Sequence, residues 1–265
     1  MLLHLRGTVV LDDEREVGEA WSLDGRITFE RPSSAPDAVY LPACVNVMFG
    51  PAEGPGVQVA FEDLCAAAGL TLLVPDGIES LCCGTPWSSK GIAAGHDAMR
   101  AAVLPALRDA TDGGRLPVVC DASSCTEGFR QLVGGEVQVV DVVAFVADRV
   151  LPVLGPFRRL DSLTLHPTCS STQLGLDPAL RTVAEAVAET VTVPLDWGCC
   201  AFAGDRGMLH PELTAAATRR EAAEVARLGA QAHASCNRTC ELGMTRATGA
   251  TYRHVVELLA DQALH

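Results

Sequence analysis

Two similar α/β units, related by internal duplication and built on mainly parallel sheets, are the fold class that this 265-residue sequence predicts. Three observations predict it. Short apolar segments of strand character alternate with longer helical ones. Ten of the eleven cysteines run through the same order twice: Cys44, Cys82, Cys83, Cys120 and Cys125, then Cys169, Cys199, Cys200, Cys236 and Cys240. The strings around them repeat as well. LLVPDGIESLCC matches VTVPLDWGCC and GTPWSSKG matches AFAGDRG, so Lys90-Gly91 and Arg206-Gly207 fall in like places. The cysteines sit in loops after strand ends, where open α/β sheets place their ligands.

Residues 1–38 carry charge and a Pro/Ser/Ala stretch with little apolar periodicity, which predicts a short hairpin and an extended linker. The first cysteine-rich unit then spans 39–155. Val57 to Ala68 reads as a helix stopped by Gly69, with LTLLV as the next strand. A long helical stretch from Ser89 to Ala110 follows the Cys82–Cys83 loop, with Pro105 as a bend. LPVVC is a strand that delivers Cys120, Cys125–Val133 a helix, VQVVD a strand, and Val142–Val150 a short helix. The second unit, 156–265, follows the same plan. SLTLH is a strand, and Asp177-Pro178 opens a helix with Asp as its cap and Pro in its first turn. VTVP is a strand, Pro211 opens an alanine-rich helix to Leu228, AQAHAS is a weak strand, and Tyr252–Leu259 closes the chain as a helix.

A 48% hydrophobic content is enough for an ordinary core, so neither metal nor disulfide is needed to compensate for small size. The net charge of −13 argues against a nucleic-acid or anionic-membrane surface. There is no run of eighteen apolar residues to span a membrane, and the opening MLLHLRGTVVLDDE does not read as a secretory leader. Eleven cysteines without a leader point to a reducing compartment, where thiolates serve as ligands or redox groups. Neither a GxGxxG nor a P-loop is present, so no nucleotide or flavin site is expected on this chain.

The doubled cysteine order points to metal–sulfur chemistry. Zinc takes four soft ligands, and an iron–sulfur cube takes four thiolates. Each set offers five, from loops that must converge. Pure thiol–disulfide exchange is the competitor, although CNRTC and CDASSC are not C-x-x-C pairs. Lys90, Arg206 and Arg238 could balance the charge of a cluster, and Trp87 and Trp197 flank the cysteine pairs as shields. His166 and His210 lie near second-half cysteines and could serve as ligands or proton carriers, but a histidine before a proline at a helix start reads first as a cap or turn residue; His96 and Cys65 read as packing residues. Asp121, Asp205 and Glu241 carry no distinguishing pattern.

The stretches LCCGTPWSSKG (81–91), VCDASSC (119–125), HPTCSSTQLGL (166–176), FAGDRGMLHPELTAAATRREAAEV (202–225) and SCNRTCELGMTRATG (235–249) resemble the cysteine-rich CCG family. That family includes heterodisulfide reductase subunits and the glycolate oxidase iron–sulfur subunit; the likeness is greatest to the C-terminal region of bacterial FAD- and iron–sulfur-dependent D-lactate dehydrogenases. The resemblance implies that all ten cysteines are cofactor and metal ligands in two motifs. It implies one or two iron–sulfur clusters of 4Fe–4S type, with zinc as an alternative in one site. The implied function is electron transfer from flavin to a quinone or cytochrome acceptor in 2-hydroxy-acid (D-lactate or glycolate) oxidation. Such a module depends on an FAD-containing domain or subunit, and its place is the cytoplasm or, through a partner, the inner face of the membrane. A heterodisulfide-reductase-like activity and a zinc-stabilised scaffold are the alternatives. Ala201 stands where the family motif has glycine, a departure that costs about 1 kcal/mol if the position needs positive φ.

Overall fold

The computed structural model describes residues 35–264. The expected hairpin and linker therefore fall almost wholly outside the described residues. The rest forms two four-stranded sheets, each parallel throughout. β1 (Ala38–Leu41), β2 (Leu72–Leu73), β3 (Val118–Cys120) and β4 (Val139–Asp141) lie in the order β2-β1-β3-β4. β5 (Leu160–Leu165), β6 (Ala188–Thr192), β7 (Ala232–Ser235) and β8 (Tyr252–His254) lie in the order β6-β5-β7-β8. The second sheet repeats the first with every strand number raised by four, so the two units share one topology as the repeated cysteine order predicts.

Strand alternation sorts the core into layers. Ala38 and Tyr40 of β1 and Val119 of β3 face inward to a hydrophobic cluster that also takes Leu163 and Leu165 of β5 and Ala234 of β7. Helices Val57–Ala67, Asp177–Val187 and Val255–Leu264 fill the space between the sheets, along with the helix that starts at Val142. The alternate residues Val39, Leu41, Val118 and Cys120 face outward to a second cluster under helices Ala93–Ala110 and Ser123–Val133. One apolar layer is thus common to both units and packs them together. Tyr40 and Phe61 meet edge to face within it at 5.0 Å between ring centroids, and Phe61 meets Phe145 at 5.7 Å.

Several elements differ from the sequence reading. β1 is central to its sheet yet was not anticipated, because a four-residue strand buried on both faces has no alternation to betray it. β8 was read as the start of the last helix; Tyr252–His254 pairs with β7 before the helix Val255–Leu264 begins. The stretch from Ser89 divides into Thr85–Ser89 and Ala93–Ala110, and Pro105 lies inside the second helix. Asp177 is the first residue of its helix rather than the cap, and its carboxylate accepts from the Ser171 and Thr172 hydroxyls at 3.0 and 2.9 Å. Among the described residues no helix is long and apolar enough to cross a membrane.

Two fully buried aspartates end strands of the first sheet. Asp121 accepts from the Tyr40 hydroxyl at 2.7 Å and the Ala43 amide at 2.6 Å, fastening the loop after β1. Asp141 accepts from the Thr126 hydroxyl and caps the helix starting at Val142 through the Val143 amide. Burial pushes both carboxyls up to about 6 against these hydrogen bonds. A carboxyl raised on folding is protonated in the folded state while the unfolded chain has already ionised. Its contribution is therefore present below the unfolded value near 4 and is lost as pH rises through 6. Urea unfolding at pH 4.5, 5.5, 6.5 and 7.5 should show stability falling across pH 4–6, on the order of 2 kcal/mol per carboxyl. Asp141→Asn, which keeps a cap acceptor, should flatten the slope.

Candidate metal centre

The cysteine-bearing loops leave both sheets at the carboxyl ends of the strands and meet between the units. Ser123, two residues before Cys125, shares hydrogen bonds of 2.8 Å with both Thr168 and Ser170, which flank Cys169. The Ser124 hydroxyl donates to Asn237 Oδ1 at 3.0 Å. Lys90, the one lysine, crosses between units to Asp205 at 2.8 Å, with both side chains more than half exposed. It was expected to compensate a cluster; it instead ties two equivalent loops at the surface.

In the second unit the thiols divide. Cys200 and Cys240 are buried with their sulfurs 3.2 Å apart. Leu163 and Leu165 face the shared core, so Thr164 and His166 turn to the opposite face of the sheet, which is covered by helix Pro211–Leu228. That helix buries Thr214, Thr218, Glu221 and Val225, a stripe at helical spacing. Glu221 takes the Nδ1 of His166 at 2.7 Å, both side chains being at most 2% exposed. The other ring nitrogen is left for Cys200. Among the described residues, one set of three donor atoms lies within 4.8 Å of one another: His166, Cys200 and Cys240. Cys169 and Cys199 form a separate, exposed pair, and Cys236 is buried apart, with Thr168 Oγ1 at 3.9 Å and Ser123 Oγ at 4.0 Å.

Electrostatics follow that division. A hydrogen bond from Cys240 holds the Cys200 thiol well below its ordinary value, burial opposing and His166 assisting. Burial pulls the His166 imidazole down, but its bonds to Cys200 and Glu221 win and lift it to about 9. Cys199 is lowered to about 6, first by Cys169, which is itself pushed up. Burial, first, pushes Cys236 up to about 12.

The first unit arranges its five thiols differently. Cys125 is the hub, coupled by hydrogen bonding to Cys120, Cys44 and Cys83 and raised by all three. Cys83 is lowered to about 3, first by Cys125 and then by Cys82, with the Thr85 hydroxyl 3.3 Å away. Cys44 is lowered to about 7 by Cys125, while Cys82 is raised by Cys83 and Cys120 by burial. Among the described residues no imidazole forms a donor set with them, for a reason visible in the repeat. Leu41-Pro42-Ala43-Cys44 and His166-Pro167-Thr168-Cys169 occupy the same place at the carboxyl ends of β1 and β5. Leu41 stands where His166 stands, and it packs into the outer apolar cluster.

His166 was read as a turn residue, yet it is the residue that makes the second unit distinct. Glu221 was not singled out at all. The available signal was a glutamate on the buried stripe of an otherwise alanine- and threonine-lined helix. Trp197 shields less than it ties, its indole N–H donating to the Pro167 carbonyl at 2.7 Å and joining the two loops that carry Cys169 and Cys199. Arg238 does not face a sulfur cluster; it pairs with Glu241 at 3.0 Å.

The family model described as CCG, cysteine-rich domain, matches residues 163–245, less than a third of the chain and confined to the second unit. No curated protein matches the chain in sequence. Among solved structures, a proposed Asp/Glu racemase from Yersinia pestis is similar at 13% identity and a TM-score of 0.37, over 86% of this chain and 100% of its own. An aspartate racemase homologue from Pyrococcus horikoshii OT3 is similar at 11% identity and 0.34, over 85% and 96%. The glutamate racemase isoform RacE1 from Bacillus anthracis gives 11% and 0.34, over 85% and 79%. At such scores these likenesses carry no chemistry to this chain.

These findings correct the expectations drawn from family resemblance. The likeness to D-lactate dehydrogenase C-terminal regions over residues 40–259 does not stand: the family match is local, confined to residues 163–245. Nor do the iron–sulfur clusters: among the described residues, the one set of donors lying within 4.8 Å of one another is one imidazole and two thiols, not four thiolates. The electron-transfer role in 2-hydroxy-acid oxidation falls with the clusters, and with it the heterodisulfide-reductase-like alternative; the zinc-stabilised scaffold is not met either, since a structural zinc takes four protein ligands and the donor set among the described residues has three. The dependence on an FAD-containing partner and a quinone or cytochrome acceptor falls too.

Ala201 does adopt the conformation that favours glycine, with φ 55°, and Gly84 holds the equivalent place at φ 78°. Ala201→Gly should therefore raise stability by about 1 kcal/mol in a denaturant titration. Gly128 lets its helix approach the Cys83 loop; a Cβ there would lie 2.7 Å from the Cys83 carbonyl oxygen and 2.3 Å from Thr85 Oγ1. Gly243, its counterpart, has nothing closer than 3.4 Å. Gly128→Ala should cost about 1–3 kcal/mol and Gly243→Ala clearly less.

Proposed function

We propose that this chain is a self-contained metal-dependent enzyme. Its second unit, residues 156–265, holds one divalent cation of the zinc class on His166, Cys200 and Cys240 and leaves a fourth position for water or a small-molecule substrate. The observation that carries this reading is the Glu221–His166 hydrogen bond. A buried carboxylate on one ring nitrogen fixes the tautomer and presents the other, the arrangement that supports metal-ligating histidines. Two thiolates and one imidazole suit a borderline-soft ion. Three protein ligands with an open position belong to catalytic rather than structural zinc sites. The exposed Cys169 and Cys199 and the thiols of the first unit (39–155), Cys44, Cys82, Cys83, Cys120 and Cys125, together with Cys236, form the surroundings of the site in this proposal. Eleven unpaired cysteines favour a reducing compartment, the cytoplasm.

Elemental analysis of the purified protein should give one ion per chain, and Co²⁺ exchanged into it should show thiolate-to-metal charge-transfer absorption. Cys200→Ser or Cys240→Ser should abolish that band. Glu221→Gln should weaken binding by about 10–100-fold, while Cys236→Ser leaves it intact. Full Co²⁺ binding by the Cys200→Ser/Cys240→Ser double variant would rule the reading out.

A further inference from the structure

Exposure sets two of the eleven cysteines apart. Seven are buried and Cys44 and Cys82 are half-buried; Cys169 and Cys199 alone are exposed. Those two are also partners, the Cys169 thiol donating a hydrogen bond to the Cys199 sulfur. A reagent dissolved in water therefore meets this pair before any other sulfur of the chain, and it meets both members together.

Hydrogen bonds hold the segments that carry the pair. Trp197 lies two residues before Cys199 and Pro167 two residues before Cys169, and the indole N–H of one donates to the carbonyl of the other at 2.7 Å. On the Cys199 side the Ala201 amide donates to the sulfur at 3.4 Å. On the Cys169 side a capping box fixes the first turn of the helix Cys169–Gln173. In it the Ser171 amide donates to Thr168 Oγ1 and the Thr168 amide to Ser171 Oγ, both at 2.9 Å. Cys200 and Cys240 are another close pair, their sulfurs 3.2 Å apart, but at 3% and 7% exposure they are shielded from solvent.

We propose that Cys169 and Cys199 are a reversible oxidation site, closing to an internal disulfide when the protein meets hydrogen peroxide. One sulfur takes an oxygen atom from the peroxide, becoming a sulfenic acid and releasing water. The second thiol then attacks that sulfur, forming the S–S bond and releasing a second water. Two thiols are oxidised and one peroxide is reduced; a small-molecule dithiol reopens the bond by exchange. Because the sulfurs are neighbours on clasped segments, closure asks for side-chain rotation rather than movement of a loop. The bond is a modification of this chain, not a turnover step on a substrate. Cys199 precedes Cys200 and Cys169 follows His166 by three residues, so closure ties together the segments that present those two donors. Exposure and adjacency carry the site, with or without a metal on His166, Cys200 and Cys240.

Peptide mapping tests this. The full chain, as purified and after chelation, is treated with an equimolar amount of hydrogen peroxide, and its remaining thiols are alkylated. In the chelated sample the thiol count should fall by two from eleven. In both samples, unreduced digests analysed by mass spectrometry should contain one cross-link, Cys169 to Cys199, which dithiothreitol reopens. These two thiols should react about tenfold faster than the buried ones. In Cys169→Ser the cross-link should vanish, leaving Cys199 as a sulfenic acid that dimedone traps. Both positions are exposed, so serine leaves the fold intact. A first cross-link between Cys200 and Cys240 or within the first unit, a disulfide-bonded dimer in place of the internal bond, or an unchanged thiol count would each overturn the proposal.

Discussion

The hydrophobic layer between the two sheets is the constraint on which everything else depends. Tyr40, Phe61 and Val119 from the first unit and Leu163, Val183 and Val256 from the second belong to one buried cluster. Packing the units through their inner helices leaves the carboxyl ends of both sheets side by side. Parallel strands deliver all their following loops to that same edge. The cysteine loops meet there because the apolar layer orients the sheets, and Ser123, Thr168, Ser170 and Asn237 then lock the meeting point with hydroxyl and amide bonds.

Within that frame the duplication has diverged at a few positions, and each has a chemical consequence. Leu41 completes an apolar face, whereas His166 in the same place brings an imidazole to two thiols and needs Glu221 on the covering helix to hold it. Gly84 is needed both for its φ and for its packing, since a Cβ there would press on His96 and Leu132 at 3.1–3.3 Å. Ala201 keeps the left-handed conformation without glycine's ease. Similar loops on identical topology thus produce a thiol network around Cys125 in one unit and a mixed donor set in the other.

The legibility of the sequence followed the range of the interactions. Helices with a strong apolar stripe, such as Asp177–Val187, were readable because periodicity is local. β1 and β8 were not, since three or four residues cannot display a period and only their pairing with β3 and β7 makes them strands. The cysteine spacing exposed the duplication but overstated the equivalence of the thiols. Cys236 points to hydroxyls rather than to its neighbours, and Cys169 with Cys199 stands apart from Cys200 with Cys240. Long strings shared with a family suggested a cofactor that the converging donors do not match.

From the chain alone came the α/β class, the twofold repetition and the loops that carry the cysteines, all of which rest on patterns within a few residues or on the recurrence of one pattern. Tertiary structure alone decided which sulfurs approach one another, that His166 and Glu221 form a buried pair 55 positions apart, and that Cys169 and Cys199 are the two cysteines left exposed. The physical reason is that side chains on separate elements meet only once sheets and helices have packed. Neither spacing nor residue type records the direction in which a side chain leaves the backbone.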